Sequence, residues 1–451
     1  MRFRGIASEP GRSAFATIGK RIAYSAVETC CMSEFGWKYL TRSDRDAILQ
    51  GIREGRAVGG PYHAEIHPAD RCNIECFFCS TAAIRGTDEI PTSRFEELLD
   101  ELKTAGTRSI RLSGGGEPLF HRQIKPVLAA IARSGIPIEN LTTNAVILGD
   151  EIASLLVDCC DQVTVSLNTI DPESWSSMMQ SPPKNYERVL ENVRRLDRLR
   201  KARRSATPGI TIQFLVWKEN YRDIPRMYDL ATSLGADAIL FNGLSSLPPE
   251  KRMSEVEKNE MLALYEQLIR QDEYRRIASI ESYETDISPQ LAEIHDRLGR
   301  ERAARSAISR LWRLATRRDF TIREKIAHNL RIRRTREIQR GTEGLDDACI
   351  IGWHSLLIRP SGEVAPCCIL QHRRLGNVYQ QSLAEVWNGE AYEQFRAELR
   401  RIMDEGTSWQ HDPDSDRTVD GKCGIGGECP IRSFYYRPDV EFFKKMAGRA
   451  K

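Results

Sequence analysis

A chain of 451 residues, 41% apolar and 29% charged, is long enough for two or three cores and has the composition of a globular protein, which excludes a disordered or fibrous chain. No run approaches the roughly 20 apolar residues that span a bilayer, and residues 1–30 lack the basic head, apolar stretch and cleavage site of a signal peptide, so the cytoplasm is the expected location and no membrane contact is expected. The net charge of +3 selects no class of partner, and twelve cysteines at metal-like spacings in a chain of this size point to reduced thiolates rather than disulfides.

Residues 1–60 read as an N-terminal helical segment, with a helix starting at Ser43-Asp44-Arg45-Asp46 and stopping at Gly55. Cys30 and Cys31 within it read as small buried hydrophobes. From 61 to 245 short β-rich runs alternate with helical stretches, the pattern of parallel βα units. Strands are expected near Ala64 to His67, Ser109 to Ser113, Leu141 to Asn144, Gln162 to Leu167, Ile210 to Val216 and Ala238 to Phe241. Helices are expected over Ser93 to Gly106, Ile124 to Gly135, Glu151 to Asp158 and Asn185 to Arg203. Residues 246–345 are rich in Arg and Glu, with Leu, Ile and Ala at helical spacing, and read as an Arg-rich helical insert. Its dense arginines, among them Arg331, Arg333, Arg334 and Arg336, form either a solvated face or an anion surface, and the lack of interleaved aromatics disfavours nucleic acid. Residues 346–451 form a small C-terminal domain with its own cysteines.

Two cysteine sets carry the chemistry. Cys72, Cys76 and Cys79, spaced C-x3-C-x2-C, supply three thiolates where a four-iron cluster needs four ligands, leaving one iron open to bind a small molecule. A zinc site is the alternative, but no fourth Cys or His follows closely. Downstream, Cys349-x12-Gly362-x4-Cys367 is followed by Cys423-x5-Cys429, four ligands that close one further cluster or a zinc site. Cys368 beside Cys367 is an alternative ligand, a buried thiol or a hydrogen donor, and Cys159-Cys160 read as packing residues.

The first set, with Phe78 before its third cysteine, resembles the signature of the radical S-adenosylmethionine (radical SAM) enzymes, and Ser113-Gly114-Gly115-Gly116-Glu117-Pro118 resembles their glycine-rich segment after the second strand. The resemblance implies an α/β fold, a partial (β/α)6 TIM-like barrel, with a SAM-binding 4Fe-4S cluster on Cys72, Cys76 and Cys79. It implies SAM contacts from Phe78, Gly115, Gly116 and Glu117, and from Asn144, Ser166 and Asn168 at strand ends, where a capping or turn role is the alternative. Glycines let a ligand lie against the main chain, and Glu117 is an acceptor for an ammonium. Ala145 replaces the glycine that relatives often carry after Asn144. The C-terminal set resembles the SPASM and Twitch auxiliary-cluster domains. With Asp420 where a further cysteine would fall, it implies one auxiliary 4Fe-4S cluster on Cys349, Cys367, Cys423 and Cys429.

The expected activity is reductive cleavage of SAM to a 5′-deoxyadenosyl radical, hydrogen abstraction, and oxidation of a small polar metabolite such as an amino sugar or aminocyclitol, fed by a flavodoxin or ferredoxin-type donor. A peptide or protein maturase and a redox-neutral epimerase or dehydratase are the alternatives. An iron–sulfur sensor or RNA-binding protein would leave the glycine motif without a task.

Overall fold

The computed structural model describes residues 37–243, 251–281 and 350–405, apart from 80, 83, 84, 273–276 and 369, together with a few positions between 290 and 298. Cys30, Cys31, Cys349, Cys423, Cys429, Asp420 and the arginines from 331 to 336 lie outside the described residues.

Local signals set the elements. Helix α1, Arg42–Glu54, starts at a capping box in which Thr41 and Asp44 exchange hydrogen bonds, and stops at Gly55, whose φ of 73° suits a residue without Cβ. Strand β1, His63–Ile66, leads through the cysteine loop to α2, Thr92–Ala105, and β2, Ser109–Leu112. Then follow α3, Ile124–Ser134; β3, Ile138–Thr143; α4, Asp150–Cys159; and β4, Gln162–Ser166. Two helices, α5 over Pro172–Met179 and α6 over Lys184–Ala202, precede β5, Gly209–Val216. The sequence reading missed α5, which is launched by an Asp171 cap and Pro172 in its first turn. Helix α7, Ile224–Ser233, β6, Ala238–Gly243, α8, Glu255–Gln271, and β7, Ala278–Glu281, continue the alternation.

The C-terminal segment opens with α9, Ile351–His354, and β8, Ser355–Ile358, followed by β9, Glu363–Ala365, β10, Gly376–Asn377, α10, Leu383–Trp387, and α11, Glu390–Glu405. One sheet runs in the order β10-β9-β8-β1-β2-β3-β4-β5-β6-β7, parallel from β8 through β7, with β9 and β10 antiparallel. All six expected strands are present. Two more parallel strands flank them, β7 from the span read as a helical insert and β8 from the C-terminal domain. Both are only four residues long, too short to show a period in the sequence.

Alternation divides the sheet into two faces. Ala64, Ile66, Ile110, Leu112, Val163, Val165, Ile210, Ile212 and Phe214 are fully buried on the apolar face. The opposite, inward face is polar, with Glu65 in register with Arg111, and with Asn140 donating to Thr164 at 2.9 Å and Gln162 to Thr211 at 2.6 Å. Gly362, at φ 79°, turns the β8–β9 hairpin, which accounts for the Gly-x4-Cys spacing: the returning strand delivers Cys367 two residues past its end. Cys160 is buried, its thiol donating to the Gln162 carbonyl at 3.0 Å, in keeping with a packing role. Among the described residues no helix is long and apolar enough to cross a membrane.

At the N-terminal end of the barrel His63 and His354 stack with ring centroids 6.0 Å apart, both fully enclosed. His63 Nδ1 lies 2.9 Å from the Ser109 hydroxyl and 3.3 Å from Glu139, and burial outweighs the opposing charge of Glu65. Burial holds His354 at about 3 and, with His354 beside it, His63 well below the ordinary value. Both are neutral when folded and bind protons on unfolding, so their stabilisation is full above pH 6.5 and is lost as pH falls from there toward 3. Denaturant midpoints are expected to drop between pH 7 and pH 5, with a slope approaching about 1.4 kcal/mol per pH unit for each histidine. The His354→Leu variant should show a shallower slope; an unchanged slope would refute the assignment.

Candidate functional site

The cysteine loop leaves the C-terminal end of β1, the end at which parallel barrels carry their working groups. It is seated on the glycine segment after β2. Gly116 N–H donates to the Ala69 carbonyl at 3.1 Å and Glu117 N–H to the Arg71 carbonyl at 2.9 Å. A Cβ on Gly116 would collide with the Arg71 carbonyl, and one on Gly115 with the Asp70 carboxylate. These glycines therefore serve the close approach of two protein backbones, in addition to any ligand. On its other side the loop is held by α5, where the N–H groups of Glu75 and Phe77 each donate at 3.2 Å to the carbonyls of Met179 and Met178.

The three thiols are half-buried and none is in a disulfide. Arg85 Nη2 donates to Cys79 Sγ at 2.9 Å, Cys76 Sγ lies 3.6 Å from Met179 Sδ, and Asn144 Nδ2 lies 3.9 Å from Cys72 Sγ. Burial, with repulsion from Cys72 and Cys79, pushes Cys76 up to about 12, and burial also raises Cys72. A cationic group that takes all three as thiolates would relieve this cost. Among the described residues no three Cys, His, Asp or Glu side chains stand close enough to hold a single metal ion. A four-iron cluster takes one thiolate at each of three irons, and three soft ligands in one pinned loop, with Arg85 to balance their charge, fit it.

The other expected contacts fall into two groups. Phe78 is half-buried beside the third cysteine and meets Phe77 edge-on at 5.4 Å, while Phe77 is 38% exposed and leans on Trp217. Asn144 reaches the loop, donating to Asn73 Oδ1 at 2.9 Å. Glu117 points inward. Its carboxylate accepts from the Thr143 hydroxyl at 2.6 Å, the Asn144 N–H at 2.8 Å and the Leu119 N–H at 3.1 Å, and burial raises it to about 6 against those donors. In this structure it clasps the β2 loop to the end of β3. Ala145 sits at φ 58°, which explains why glycine suits this position, and Asn192 holds the turn by donating to the Ala145 carbonyl at 2.8 Å. Ser166 donates to Gln213 at 3.2 Å, and Asn168, at φ 65°, accepts from the Leu215 N–H at 3.1 Å, so both tie β4 to β5.

A polar cluster that the sequence reading did not single out lines the lumen beneath. His67 Nδ1 accepts from the Gly115 N–H at 3.2 Å, which places its proton on Nε2, 3.2 Å from Glu65 Oε1. The Ser113 hydroxyl also donates to Glu65. Burial alone would raise Glu65, but His67, Arg111 and Ser113 together bring it down to about 2. Burial, with the Glu65 charge adding to it, pushes the Cys368 thiol well up; Cys368 is partly buried and Cys367 buried, its Sγ accepting from the Leu370 N–H at 3.5 Å. Charged residues alternating with apolar ones in His63-Ala64-Glu65-Ile66 and Ser109-Ile110-Arg111-Leu112 were the available signal. Arg359, at the end of β8, spans from Glu363 at 3.6 Å to Asp70 at 3.9 Å and so joins the C-terminal segment to the cysteine loop.

Residues 66–231 match the radical SAM superfamily, a domain that implies SAM and a 4Fe-4S cluster. Residues 349–410 match a SPASM iron–sulfur cluster-binding domain, which adds auxiliary cluster binding at the C-terminal side. Among curated proteins the chain is 25% identical over 164 residues to a probable GTP 3′,8-cyclase of Methanosarcina mazei, covering 34% of this chain and 48% of that protein. It is 32% identical over 177 residues to the GTP 3′,8-cyclase of Chlorobaculum tepidum, covering 39% and 49%. The chain thus spans about half the length of these relatives. The fold is similar to that of Streptococcus suis SuiB bound to SAM, with a TM-score of 0.53 at 16% identity over 78% of this chain and 71% of that one.

The seating of the loop is testable. Gly116→Ala is expected to abolish SAM cleavage and to lower iron content by about four per chain, the content of one cluster. Gly149→Ala should behave as the parent, because Gly149 has an ordinary φ of −90° and its added Cβ would meet nothing nearer than 4.0 Å. Full iron and activity in Gly116→Ala would show that the close approach is dispensable.

Proposed function

We propose that the chain oxidises a small polar metabolite, such as an amino sugar or aminocyclitol, held in the barrel lumen below the Cys72, Cys76 and Cys79 loop. The observation that supports this is the lumen wall, where Glu65, Arg111, His67, Asn140, Thr164 and Gln213 offer charges, hydroxyls and amides. When bound, the cluster and SAM supply one-electron cleavage of the sulfonium and a 5′-deoxyadenosyl radical able to take a hydrogen atom.

The protein's share is position and exclusion of water. Gly116 and Met178 fix the cysteine loop, Asn144 steadies its first cysteine through Asn73, and Arg85 sets a positive charge against Cys79. A carboxylate at about 2 makes a poor base at neutral pH, so Glu65 is a fixed anion suited to a substrate ammonium or hydroxyls. The auxiliary site, on Cys367 with Cys349, Cys423 and Cys429, is assigned the role of electron acceptor, and a flavodoxin or ferredoxin-type protein that of donor.

A redox-neutral outcome is the second reading, supported by Cys368, a partly buried thiol that would return a hydrogen atom to the substrate. A peptide substrate, as in the SuiB structure bound to its precursor peptide SuiA, finds support here only in fold, at 17% identity. A nucleotide, as in the names of the cyclase relatives, is a further outcome of the same assay.

Replacing Cys72, Cys76 and Cys79 together with Ala is expected to end 5′-deoxyadenosine formation under dithionite while leaving about four irons per chain. With the parent enzyme and a candidate substrate deuterated at each carbon in turn, the expected result is a product two hydrogens lighter and one labelled 5′-deoxyadenosine per product. An isomer carrying a solvent-derived hydrogen, lost in Cys368→Ala, would replace oxidation with epimerisation.

A further inference from the structure

Arg85 follows the third cysteine of the loop and turns back onto it. Its Nη2 donates to Cys79 Sγ at 2.9 Å and its Nη1 to the Ile74 carbonyl at 3.3 Å, so one planar guanidinium spans the loop from between its first two cysteines to its third. Nε is buried with no hydrogen-bond partner among the described residues. A guanidinium keeps its charge in proteins, and here its partners are a sulfur and a carbonyl, so the anion that would balance it is a thiolate at Cys79.

The other two thiols are placed differently. Cys72 Sγ has the Asn144 amide at 3.9 Å, and Cys76 Sγ has the Met179 thioether at 3.6 Å. Thr81 also reaches the third cysteine, with Oγ1 3.3 Å from Cys79 Sγ, but its one proton goes to the Gly115 carbonyl at 2.9 Å. Among the described residues, Arg85 is thus the cation hydrogen-bonded to the cysteine motif, and Cys79 is the thiol that receives it.

We propose that Arg85 is the built-in counter-charge of the SAM-binding cluster: its bond to the Cys79 thiolate raises the cluster's reduction potential, and its bond to Ile74 holds the loop in the form that presents the cysteines. The inference rests on Cys72, Cys76 and Cys79 being the ligands of that cluster. A thiolate-bound cluster gains negative charge with the electron it takes from its donor. A fixed cation on one of its sulfurs therefore favours the reduced form, and a hydrogen bond to that sulfur acts in the same direction. Because donor and acceptor are both charged, this bond is of the stronger, charge-assisted kind. Arg85 is a positioning and tuning residue, with no part in handling substrate.

The test uses the full chain, reconstituted with iron and sulfide and titrated with dithionite under EPR. The signal followed is the one that added SAM perturbs, because a cluster with an open iron can take SAM and a closed one cannot. Arg85→Gln is expected to keep its iron and to lower the reduced-to-oxidised ratio at fixed potential at least tenfold, a shift of about 59 mV for a one-electron couple. Arg85→Lys, which keeps the charge, should stay nearer the parent, and Thr81→Val should match the parent, since the Thr81 proton is spent on Gly115. A parent-like ratio in Arg85→Gln would overturn the inference. An equal fall in Thr81→Val would also overturn it, by tracing the shift to a disturbed loop. Should Arg85→Gln fail to bind iron, Arg85→Lys decides: a cluster retained near the parent's ratio supports the counter-charge, whereas loss of iron or the full fall there makes Arg85 a folding residue. A SAM-responsive signal that survives replacement of Cys72, Cys76 and Cys79 with Ala would instead overturn the ligand assignment, and the inference with it.

Discussion

Between the loop that carries Cys72, Cys76 and Cys79 and the turn after β2 there is no room for a methyl group. Gly116 lies against the Arg71 carbonyl and Gly115 against the Asp70 carboxylate, and the hydrogen bonds from Gly116 and Glu117 run to the two sides of that contact. Every other placement at the site depends on this approach. It sets the position of the first cysteine, lets Asn144 reach Asn73 from β3, and brings Asp70 to Arg359 at the end of the neighbouring β8. Glu117 extends the same joint to a third strand through Thr143 and Asn144, so the ends of β1, β2 and β3 behave as one rigid rim.

The rim is charged below and apolar at its edge. Glu65, His67 and Ser113 form a hydrogen-bonded chain whose end is the Gly115 N–H, which couples the lumen's negative charge to the glycine turn itself. Phe77 meets Phe78 edge-on and leans on Trp217, with Lys251 over the Phe77 ring at 4.8 Å.

The six strands were legible because β-branched runs at period two are bounded by Gly, Pro and Asp, and the helices because Gly55, Gly106 and Gly135 mark their ends. Strand β3 begins at Ile138, three residues before the expected Leu141, and the added Glu139 and Asn140 are buried polar groups, with Asn140 bonded to Thr164. The eight residues of α5 show a single apolar turn, Trp175 with Met178 and Met179, and β7 and β8 are too short to carry a period. The cysteines and glycines were legible by type and spacing. The direction of a side chain was not: Glu117 offers the same carboxylate whether it faces a ligand or the end of β3, and only the tertiary packing separates Cys367 from Cys368. Glu65 and Arg111 acquire meaning only from register, which brings together residues 46 positions apart.

The pairing of β1 with β8 matches His63 with Ser355, residues at opposite ends of the described chain. At a synthesis rate of about 5–20 residues per second, roughly 15–60 s separate their emergence from the ribosome. For that interval the first barrel strand presents an unpaired edge of backbone donors and acceptors, the kind of edge that invites pairing with another chain. The same interval leaves the cysteine loop without Arg359 beside Asp70. Order of synthesis therefore builds in a period in which the first barrel strand and the cysteine loop lack their C-terminal partners, and it ends when β8 docks.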